Sequence, residues 1–304
     1  MERLDLYLVR HGDAVSRRRA RDLIGAGVVL VNGRRCRKGR TVTAADTVEV
    51  LVPTAPAALA PNSDLALEIL YRDQDILVVN KPGLLPCHPL RYDDRHTLMN
   101  AVAARFPQTT DVGAKPQEGG LVHRLDNGTS GAVMVALTEA GFARLRAALR
   151  NNQIVRSYRT LVQGAITHSL ELDAPIAHHP RNRRKMIVVH DPRMAAKLNA
   201  RPALTIVKPL ETVGGFTLAE VIPRTGNRHQ IRVHLADAGF PIAGDELYGG
   251  PPIASLQPGR FFLHLAELRI PREHASAPAS EGGAITVVAP LATDLRNCLT
   301  RGGR

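Results

Sequence analysis

The order of apolar and polar residues along the chain predicts β-strands interspersed with short helices. Runs rich in apolar and β-branched residues predict strands at 75–81, 133–137, 157–164, 205–209 and 217–223. These strands and the intervening helices follow one another without a regular strand–helix–strand repeat. The pattern therefore predicts an α+β fold rather than a doubly wound parallel sheet.

Start and stop signals place the helices. Thr97 and Thr138 are predicted N-caps, and the helix after Thr138 extends to about Arg150. A later helix is predicted around residues 229–238, where Gly239 supplies the stop. Each of these helices has apolar side chains on one face, which we expect to point inward.

The first 52 residues have the pattern of a small separate module. Ser16 is the predicted N-cap of a helix at 17–26. A β-branched strand then runs into Asn32-Gly33, the pair that tight hairpin turns prefer, and another strand is predicted at 46–52. The module carries eleven Lys and Arg against six Asp and Glu, a large excess for so short a unit.

A proline-containing stretch separates this module from the rest. Residues 53–64 contain three prolines and little periodicity, so we predict a linker there. A larger domain is expected at 65–290, followed by a C-terminal tail at 291–304. Two domains are what a length of 304 residues favours.

The charge balance indicates the kind of partner. The chain has 40 Lys and Arg against 28 Asp and Glu, a formal net charge of +12. Such an excess favours a polyanion, with nucleic acid ahead of an anionic membrane surface. No apolar run reaches the length of a membrane span, and no basic amphipathic helix has a large apolar face, so no membrane partner is expected.

Cysteine and histidine spacing argues against a metal centre. Cys36, Cys87 and Cys298 lie far apart and form no CxxC pair, so neither a disulfide framework nor a thiolate zinc site is expected. His229 and His234 are five residues apart, which does not match the i, i+4 spacing of metal-binding histidines on a helix. We expect no metal, no cofactor and a cytoplasmic protein without a signal peptide.

The strongest candidate for chemistry is a short segment with one carboxylate, VHRLDNGTSG at 122–131. It places Asp126 beside a turn of small residues between apolar stretches, where a carboxylate can be held rigidly and partly dehydrated. The local pattern leaves a second interpretation open, because an aspartate before Asn-Gly also caps turns. The glycines do not form a phosphate-binding loop, since the GxxxxGK[ST] pattern is missing.

Two basic clusters follow in the larger domain. Arg228 and Arg232 are four residues apart, so they share a helix face and suit either a phosphate or a buried carboxylate. The second cluster is HHPRNRRKM at 178–186. A mobile basic loop and an RNA clamp are both compatible with it, and the sequence does not decide between them.

The N-terminal module resembles the S4 RNA-binding module of ribosomal proteins over about residues 2–52. The resemblance rests on SRRRARDLIGAGVVLVNGRRC at 16–36, with Ser-Arg, a helix and then G-x-V-x-V-N-G. It implies that basic side chains contact RNA phosphates, which positions the RNA without reading its bases. For the charge run alone, a solvated helix face is the alternative. The helix residues concerned are Arg17, Arg18 and Arg21.

The larger domain resembles the pseudouridine synthases that modify large-subunit ribosomal RNA and some tRNAs. The matching segments, in family order, are DILVVNKPGLLPCHP at 75–89, VHRLDNGTSG at 122–131, SYRTLV at 157–162, PIAHHPRNRRKM at 175–186, RPALT at 201–205, HQIRVH at 229–234, PIAGDELYG at 241–249 and FLHLAEL at 262–268. His123 points to the large-subunit branch. The resemblance implies a mixed, mostly antiparallel sheet with a central catalytic cleft.

The resemblance also implies an activity and the residues that perform it. Uridine is detached from ribose at N1 and rejoined through C5, with no cofactor. Asp126 is implied as nucleophile at C1′ or base at C2′, Arg232 as its basic partner and Tyr158 as the tyrosine against the base. Arg124, Ile231 and Leu263 are implied in base flipping and the substrate pocket. The implied RNA-contacting residues are Arg17, Arg18, Arg21, Arg181, Arg183, Arg184, Lys185, Arg228 and His229.

One departure from the family pattern keeps other functions open. Where the family commonly reads G-R-T-H-Q-I-R, this chain has Asn227 and Arg228 in the second and third positions. The change bears on substrate affinity or specificity more than on chemistry. The alternatives are a catalytically silent RNA-binding or ribosome-assembly factor and a synthase directed at tRNA. We expect an RNA partner, ribosomal RNA first, and a monomer.

Overall fold

The chain divides into two units, Met1–Ala58 and Leu59–Arg304, each with its own buried apolar core. The computed structural model describes residues 1–14, 16–25, 27–37, 39–51, 59–90, 94–113, 118–272 and 283–300. No helix among these residues has the length and apolar character needed to cross a bilayer.

The smaller unit forms from the turn and cap signals of its sequence. Its elements are β1 (Glu2–Arg3), α1 (Leu4–Arg10), α2 (Arg17–Gly25), β2 (Val29–Val31), β3 (Arg34–Arg35), β4 (Thr41–Val42) and β5 (Val48–Val50). The Ser16 hydroxyl accepts a hydrogen bond from the Arg19 N–H, which confirms the predicted N-cap. Asn32 and Gly33 join β2 to β3 with φ angles of 52° and 73°, the left-handed values that this hairpin turn requires.

The larger unit contains most of the strands. Its elements are β6 (Glu68–Arg72), β7 (Ile76–Lys81), α3 (Leu98–Arg105), β8 (Ser130–Ala136), α4 (Glu139–Arg150), β9 (Val155–Gln163), β10 (Leu170–Leu172), β11 (Ile176–His178), β12 (Met186–Val188), α5 (Pro192–Lys197), β13 (Thr205–Val213), β14 (Phe216–Pro223), α6 (Gln230–Asp237), β15 (Leu263–Pro271), β16 (Ala284–Val288) and α7 (Thr293–Thr300). Thr97 and Thr138 cap α3 and α4 as predicted.

Nine of the described strands form one sheet in the order β10-β13-β14-β9-β15-β8-β7-β6, with β16 paired to β15. The pairings are antiparallel except for β8 and β15, which run parallel. This arrangement confirms the predicted α+β fold and its mixed, mostly antiparallel sheet. The hairpin of β11 and β12 lies outside the sheet and carries the basic cluster at 178–186.

Gly131 makes the parallel pairing possible. It has a φ of 115°, and a Cβ atom there would collide with the backbone of Leu265 on β15. Only glycine adopts this conformation without strain and allows so close an approach of two strands. The small residues after Asp126 are therefore needed to bring β8 against β15.

Two predicted boundaries differ from the structure. Leu59 is buried in the core of the larger unit, so the linker predicted at 53–64 ends before Leu59; residues 52–58 lie outside the described ranges. Residues 291–304 are not merely a tail, because α7 buries Leu295 and Cys298 in the same core. Both segments are short and weakly periodic, so their sequence does not reveal that the sheet offers them an apolar surface.

Candidate active site

The Asp126 carboxylate lies in the loop that leads into β8, at the edge of a cavity. Its side chain is 26% exposed, and the Thr129 N–H closes the turn by donating to the Asp126 carbonyl at 3.0 Å. The carboxylate is thus reachable from outside while the backbone behind it is fixed. The backbone carbonyl of Asp126, and not its carboxylate, closes the turn. The side chain therefore remains available for other contacts.

Lys81 holds the loop from beneath. Its ammonium group is fully buried and donates to the carbonyls of Pro82 and Leu85 at 2.8 Å each, and to that of Asn127 at 3.4 Å. Burial lowers its pKa from 10.5 to about 8. A buried lysine bonded to carbonyls serves here to anchor the residue that follows Asp126.

A second buried cation, Arg260, holds the next residue of the loop. Its guanidinium donates to the carbonyl of Gly128, to the Ser130 hydroxyl at 2.8 Å and to the Asp294 carboxylate of α7 at 2.7 Å. The backbone of Gly83 runs so close to Arg260 that a side chain there would collide with it. Lys81 and Arg260 therefore fix two successive carbonyls after Asp126, and α7 takes part through Asp294.

The lowered pKa of Lys81 predicts a pH dependence of stability. Between pH 8 and 10.5 the unfolded chain binds a proton that the folded chain has lost, so the free energy of unfolding rises with pH through this window. The gain is about 3 kcal/mol from the size of the shift. Lys81→Met is expected to lack it. Urea unfolding of both proteins at pH 7.5 and 10 measures the difference; equal pH slopes would contradict the burial of a charged Lys81.

Arg232, in the first turn of α6, connects two carboxylates. It donates to Asp126 at 2.9 Å and, through two nitrogens, to Asp245 at 2.6 and 2.8 Å. The guanidinium stacks over the ring of Phe261, 4.3 Å from its centroid. Its side chain is only 7% exposed, so Asp245 fixes the orientation in which Arg232 meets Asp126.

His229 precedes α6 in a left-handed conformation with a φ of 53°. Its Nδ1 lies 2.8 Å from the Tyr248 hydroxyl, and its Nε2 lies 3.9 Å from the Asp126 carboxylate. Burial lowers the pKa of His229 to about 4, so the ring is neutral at physiological pH. It presents a polar but uncharged group toward Asp126.

A small cavity of about 90 Å³ opens beside the Asp126 carboxylate. Tyr158 on β9 is buried in its wall, and burial raises the pKa of the phenol above its ordinary value. Ile231 and Leu263 add apolar surface, and the exposed Arg124 lines the same cavity. The structure thus brings together the residues that the sequence assigned to catalysis and to the substrate pocket.

A larger cleft of about 740 Å³ leads to this cavity, and the two share the Asp126 and Arg232 side chains. Arg228 lines the cleft and donates to the backbone carbonyls of Arg183 and Arg184 in the β11–β12 hairpin, both at 3.2 Å. Asn227 instead donates to the Pro202 carbonyl and shapes the turn before α6. Arg228 therefore connects the β11–β12 hairpin to the wall of the cleft by hydrogen bonds.

The remaining basic candidates lie at two separate places. The β11–β12 hairpin carries Arg181, Arg183, Arg184 and Lys185, and Arg184 lines the cleft.

Helix α2 of the smaller unit carries the other basic candidates, Arg17, Arg18 and Arg21. In that group the Arg17 guanidinium pairs with the buried Asp5 carboxylate at 3.2 Å, so it helps to hold α2 against α1. Arg18 and Arg21 are also exposed, and neither pairs with Asp5, so they are the candidates for phosphate contact in this unit.

Three residues of the site were not predicted from the sequence: Lys81, Asp245 and Arg260. Lys81 and Asp245 occur in the quoted segments DILVVNK and PIAGDELYG, and Arg260 stands just before FLHLAEL. For Lys81 and Asp245, the presence in those segments was a usable signal, but nothing local indicates that the three charged side chains are buried. Among the described residues, no group of three or more His, Cys, Asp or Glu side chains is placed to bind a metal ion.

The sequence matches two protein families. Residues 75–237 match the family described as RNA pseudouridylate synthase, and residues 2–48 match the S4 domain. The first match includes the Asp126 loop, Tyr158 and Arg232. The second covers nearly all of the described part of the smaller unit.

Individual relatives and a solved structure agree with these matches. The chain is 35% identical over 305 residues to ribosomal large subunit pseudouridine synthase D of Xanthomonas campestris, which covers 98% of this chain and 88% of the relative. It is 35% identical over 249 residues to an uncharacterized RNA pseudouridine synthase of Bacillus subtilis, covering 82% and 79%. The structure of human RNA pseudouridylate synthase domain containing 1 is similar with a TM-score of 0.58 at 28% identity, covering 79% of this chain and 90% of that one.

Proposed function

Because this chain belongs to the RNA pseudouridylate synthase family and carries an S4 RNA-binding domain, we propose that it isomerises uridines of large-subunit ribosomal RNA, with Asp126 as the catalytic carboxylate. The choice of RNA is supported by the relative named ribosomal large subunit pseudouridine synthase D, which aligns over 98% of this chain. His123, the residue that points to the large-subunit branch, supports the same choice.

One observation carries the assignment of the catalytic residue. The Asp126 carboxylate, paired with Arg232 at 2.9 Å, borders a small cavity of about 90 Å³ walled by Tyr158 and Leu263. A uridine has to leave the RNA stack to enter such a cavity. Arg124 is exposed at the same place and is positioned to fill the space that the base leaves in the RNA.

The chemistry needs one carboxylate and no added water. The N1–C1′ bond breaks, the detached uracil turns, and C5 forms the new bond to C1′. Asp126 acts either as nucleophile at C1′ or as base at C2′, and the geometry is compatible with both. Arg232 pairs with the carboxylate and orients it, and its bonds to Asp245 hold the guanidinium in place. Tyr158, which lines the cavity, would lie against the base and help to remove the C5 proton.

The cleft supplies the contacts for the surrounding RNA. Arg184 and Arg228 line it, and the β11–β12 hairpin adds further basic side chains. Contacts of this kind position the phosphate backbone, whereas the small cavity selects the nucleotide. The S4 domain adds a second basic surface through Arg18 and Arg21.

Mapping of pseudouridines in ribosomal RNA and tRNA from cells with and without the gene tests the proposed substrate. Loss of one or more sites in large-subunit ribosomal RNA is the expected result. Loss of sites confined to tRNA would show that the substrate is tRNA and not large-subunit ribosomal RNA. Loss at no site, together with retained RNA binding, would favour a silent RNA-binding factor.

The S4 domain is expected to contribute salt-dependent affinity and no catalysis. Each lost phosphate contact reduces the slope of log K against log salt by about 0.7 to 0.9. The variant Arg18→Gln/Arg21→Gln should therefore bind RNA more weakly with a slope flatter by about 1.5, while glutamine preserves the helix. Single-turnover rates at saturating enzyme should not change.

Arg150→Gln serves as the matched control, because Arg150 is exposed at the end of α4 and lines neither cavity. Its salt slope should equal that of the wild type. An unchanged slope in the Arg18→Gln/Arg21→Gln variant would show that α2 is a solvated face and would shift RNA docking to the β11–β12 hairpin.

A further inference from the structure

Arg156 is a cation in the substrate cavity to which the mechanism above gives no role. It lies two residues before Tyr158 on β9, so both side chains project from the same face of the sheet. Both line the cavity of about 90 Å³ beside the Asp126 carboxylate. The wall around the base therefore carries a permanent positive charge as well as an aromatic ring.

The hydrogen bonds of Arg156 leave part of its guanidinium unused. Nη2 donates to the Thr225 carbonyl at 3.1 Å, and Nη1 lies against Gly226, where a Cβ atom would be 3.4 Å away. Nε is buried and has no acceptor among the described residues. Nε has almost no accessible surface, so it is not the nitrogen that a substrate reaches. The Nη nitrogens keep further N–H groups beyond the one bonded to Thr225, and these are available to an acceptor that the substrate supplies.

The other cations near the cavity are already engaged or stand at its mouth. Arg232 is bound by Asp126 and Asp245. His229 is neutral, and Arg124 is exposed. Arg156 lines the cavity beside Tyr158, and its positive charge opposes part of the rise that burial causes in the pKa of Tyr158.

We propose that Arg156 donates a hydrogen bond to a carbonyl oxygen of the flipped uracil and stabilises the negative charge that the ring acquires when it leaves ribose. This role rests on the proposed function, in which Asp126 brings about the detachment. When the N1–C1′ bond breaks, both electrons stay on the ring and spread over N1 and the two carbonyl oxygens. The charge disappears when C5 bonds to C1′, the C5 proton departs and N1 is protonated.

The surroundings of Arg156 favour the ring over a phosphate as its partner. Arg156 lines the small cavity with Tyr158, Ile231 and Leu263 and does not line the larger cleft, where Arg184 and Arg228 are available to the phosphate backbone. A planar guanidinium suits an acceptor in the plane of a base. The inference holds for both routes open to Asp126, because both detach the base as an anion.

A substrate with a better leaving group tests this role. The wild type and Arg156→Met are compared on two forms of one transcript that the wild type converts, with uridine or 5-fluorouridine at the target position. Fluorine withdraws electrons and stabilises the detached ring, so that its departure depends less on Arg156. Single-turnover rates at saturating enzyme are followed by pseudouridine formation for the first transcript and by loss of the 5-fluorouridine nucleoside for the second.

With uridine, Arg156→Met is expected to react about 10²- to 10³-fold more slowly, the usual effect of removing one donor to a developing anion. With 5-fluorouridine the loss should be at least tenfold smaller. RNA affinity should change little. Arg156→Lys keeps the positive charge but loses the planar guanidinium. Its single-turnover rate on the uridine transcript should lie between those of the wild type and Arg156→Met.

Arg159→Met is the control, because Arg159 lies on the same strand but on the opposite face, paired with Glu220 at 3.0 Å. It should react like the wild type on both transcripts. Equal losses on both transcripts, or no loss, in Arg156→Met would overturn the role of Arg156 and leave the proposed function standing. Failure of the wild type to convert any RNA would instead remove the proposed function. If Arg156→Met does not fold, Arg156→Lys provides the same comparison of transcripts.

Discussion

Asp126→Asn is expected to abolish pseudouridine formation while RNA binding persists. An amide keeps the shape of the carboxylate but can neither attack C1′ nor take the C2′ proton, so both routes stop. Removal of an essential catalytic group costs about 10⁴- to 10⁶-fold in rate. The loop should keep its conformation, because Lys81 and Arg260 bind the carbonyls of the next two residues and not the Asp126 side chain.

The measurement pairs single-turnover kinetics with RNA affinity. Asp237→Asn is the matched control, since Asp237 is exposed, pairs with His190 at 2.9 Å and lines neither cavity. It should retain wild-type turnover. Turnover near the wild-type rate in Asp126→Asn would assign the chemistry to another group, and lost RNA binding would show that the carboxylate has a structural role.

Arg232→Met is expected to give the second-largest loss, about 10²- to 10³-fold in rate, as for the removal of one preorganised electrostatic partner. The guanidinium orients the Asp126 carboxylate through a hydrogen bond at 2.9 Å, and methionine has no donor to replace it. Single-turnover rates at saturating enzyme measure the loss. A full rate in this variant would mean that Arg232 acts on neither Asp126 nor the reaction.

A loss of stability has to be separated from this catalytic effect. Asp245 is 1% exposed and bound to Arg232 through two hydrogen bonds, and breaking a buried pair from one side costs about 3–5 kcal/mol. Arg232→Lys retains a charge but cannot bridge both carboxylates as the guanidinium does. It should react faster than Arg232→Met while still losing stability. Thermal unfolding of both variants alongside their single-turnover rates distinguishes the two effects.

Most secondary structure could be predicted because its signals are local. Thr97 and Thr138 cap the helices that follow them, and Asn32-Gly33 turns the hairpin between β2 and β3. Caps and tight turns depend on bonds between residues two to four positions apart, which a sequence displays directly. The predictions for Leu59 and α7 differ from the structure because both segments pack against an apolar surface formed by residues distant in the sequence.

The chemical character of the site was also visible in the sequence. The family match confirms the activity that the motif around Asp126 indicates. The roles of Asp126, Tyr158 and Arg232 stay predictions, but their convergence on one cavity is what the predicted roles require. The position of the Asn227 substitution became clear only in three dimensions, because Asn227 lines the small cavity beside Asp126 while Arg228 lines the larger cleft.

Sequence patterns were enough to predict the two-part organisation, most local elements and the candidate carboxylate Asp126. Which charges are buried, and which groups they bind, depended on the folded chain. Arg232 meets Asp126 across 106 positions, Arg260 meets the Asp126 loop across 132, and Arg156 reaches Thr225 across 69. No periodicity extends over such distances. The burial of a charge depends on strands that pair from far along the chain, so these roles become apparent only once the sheet has formed.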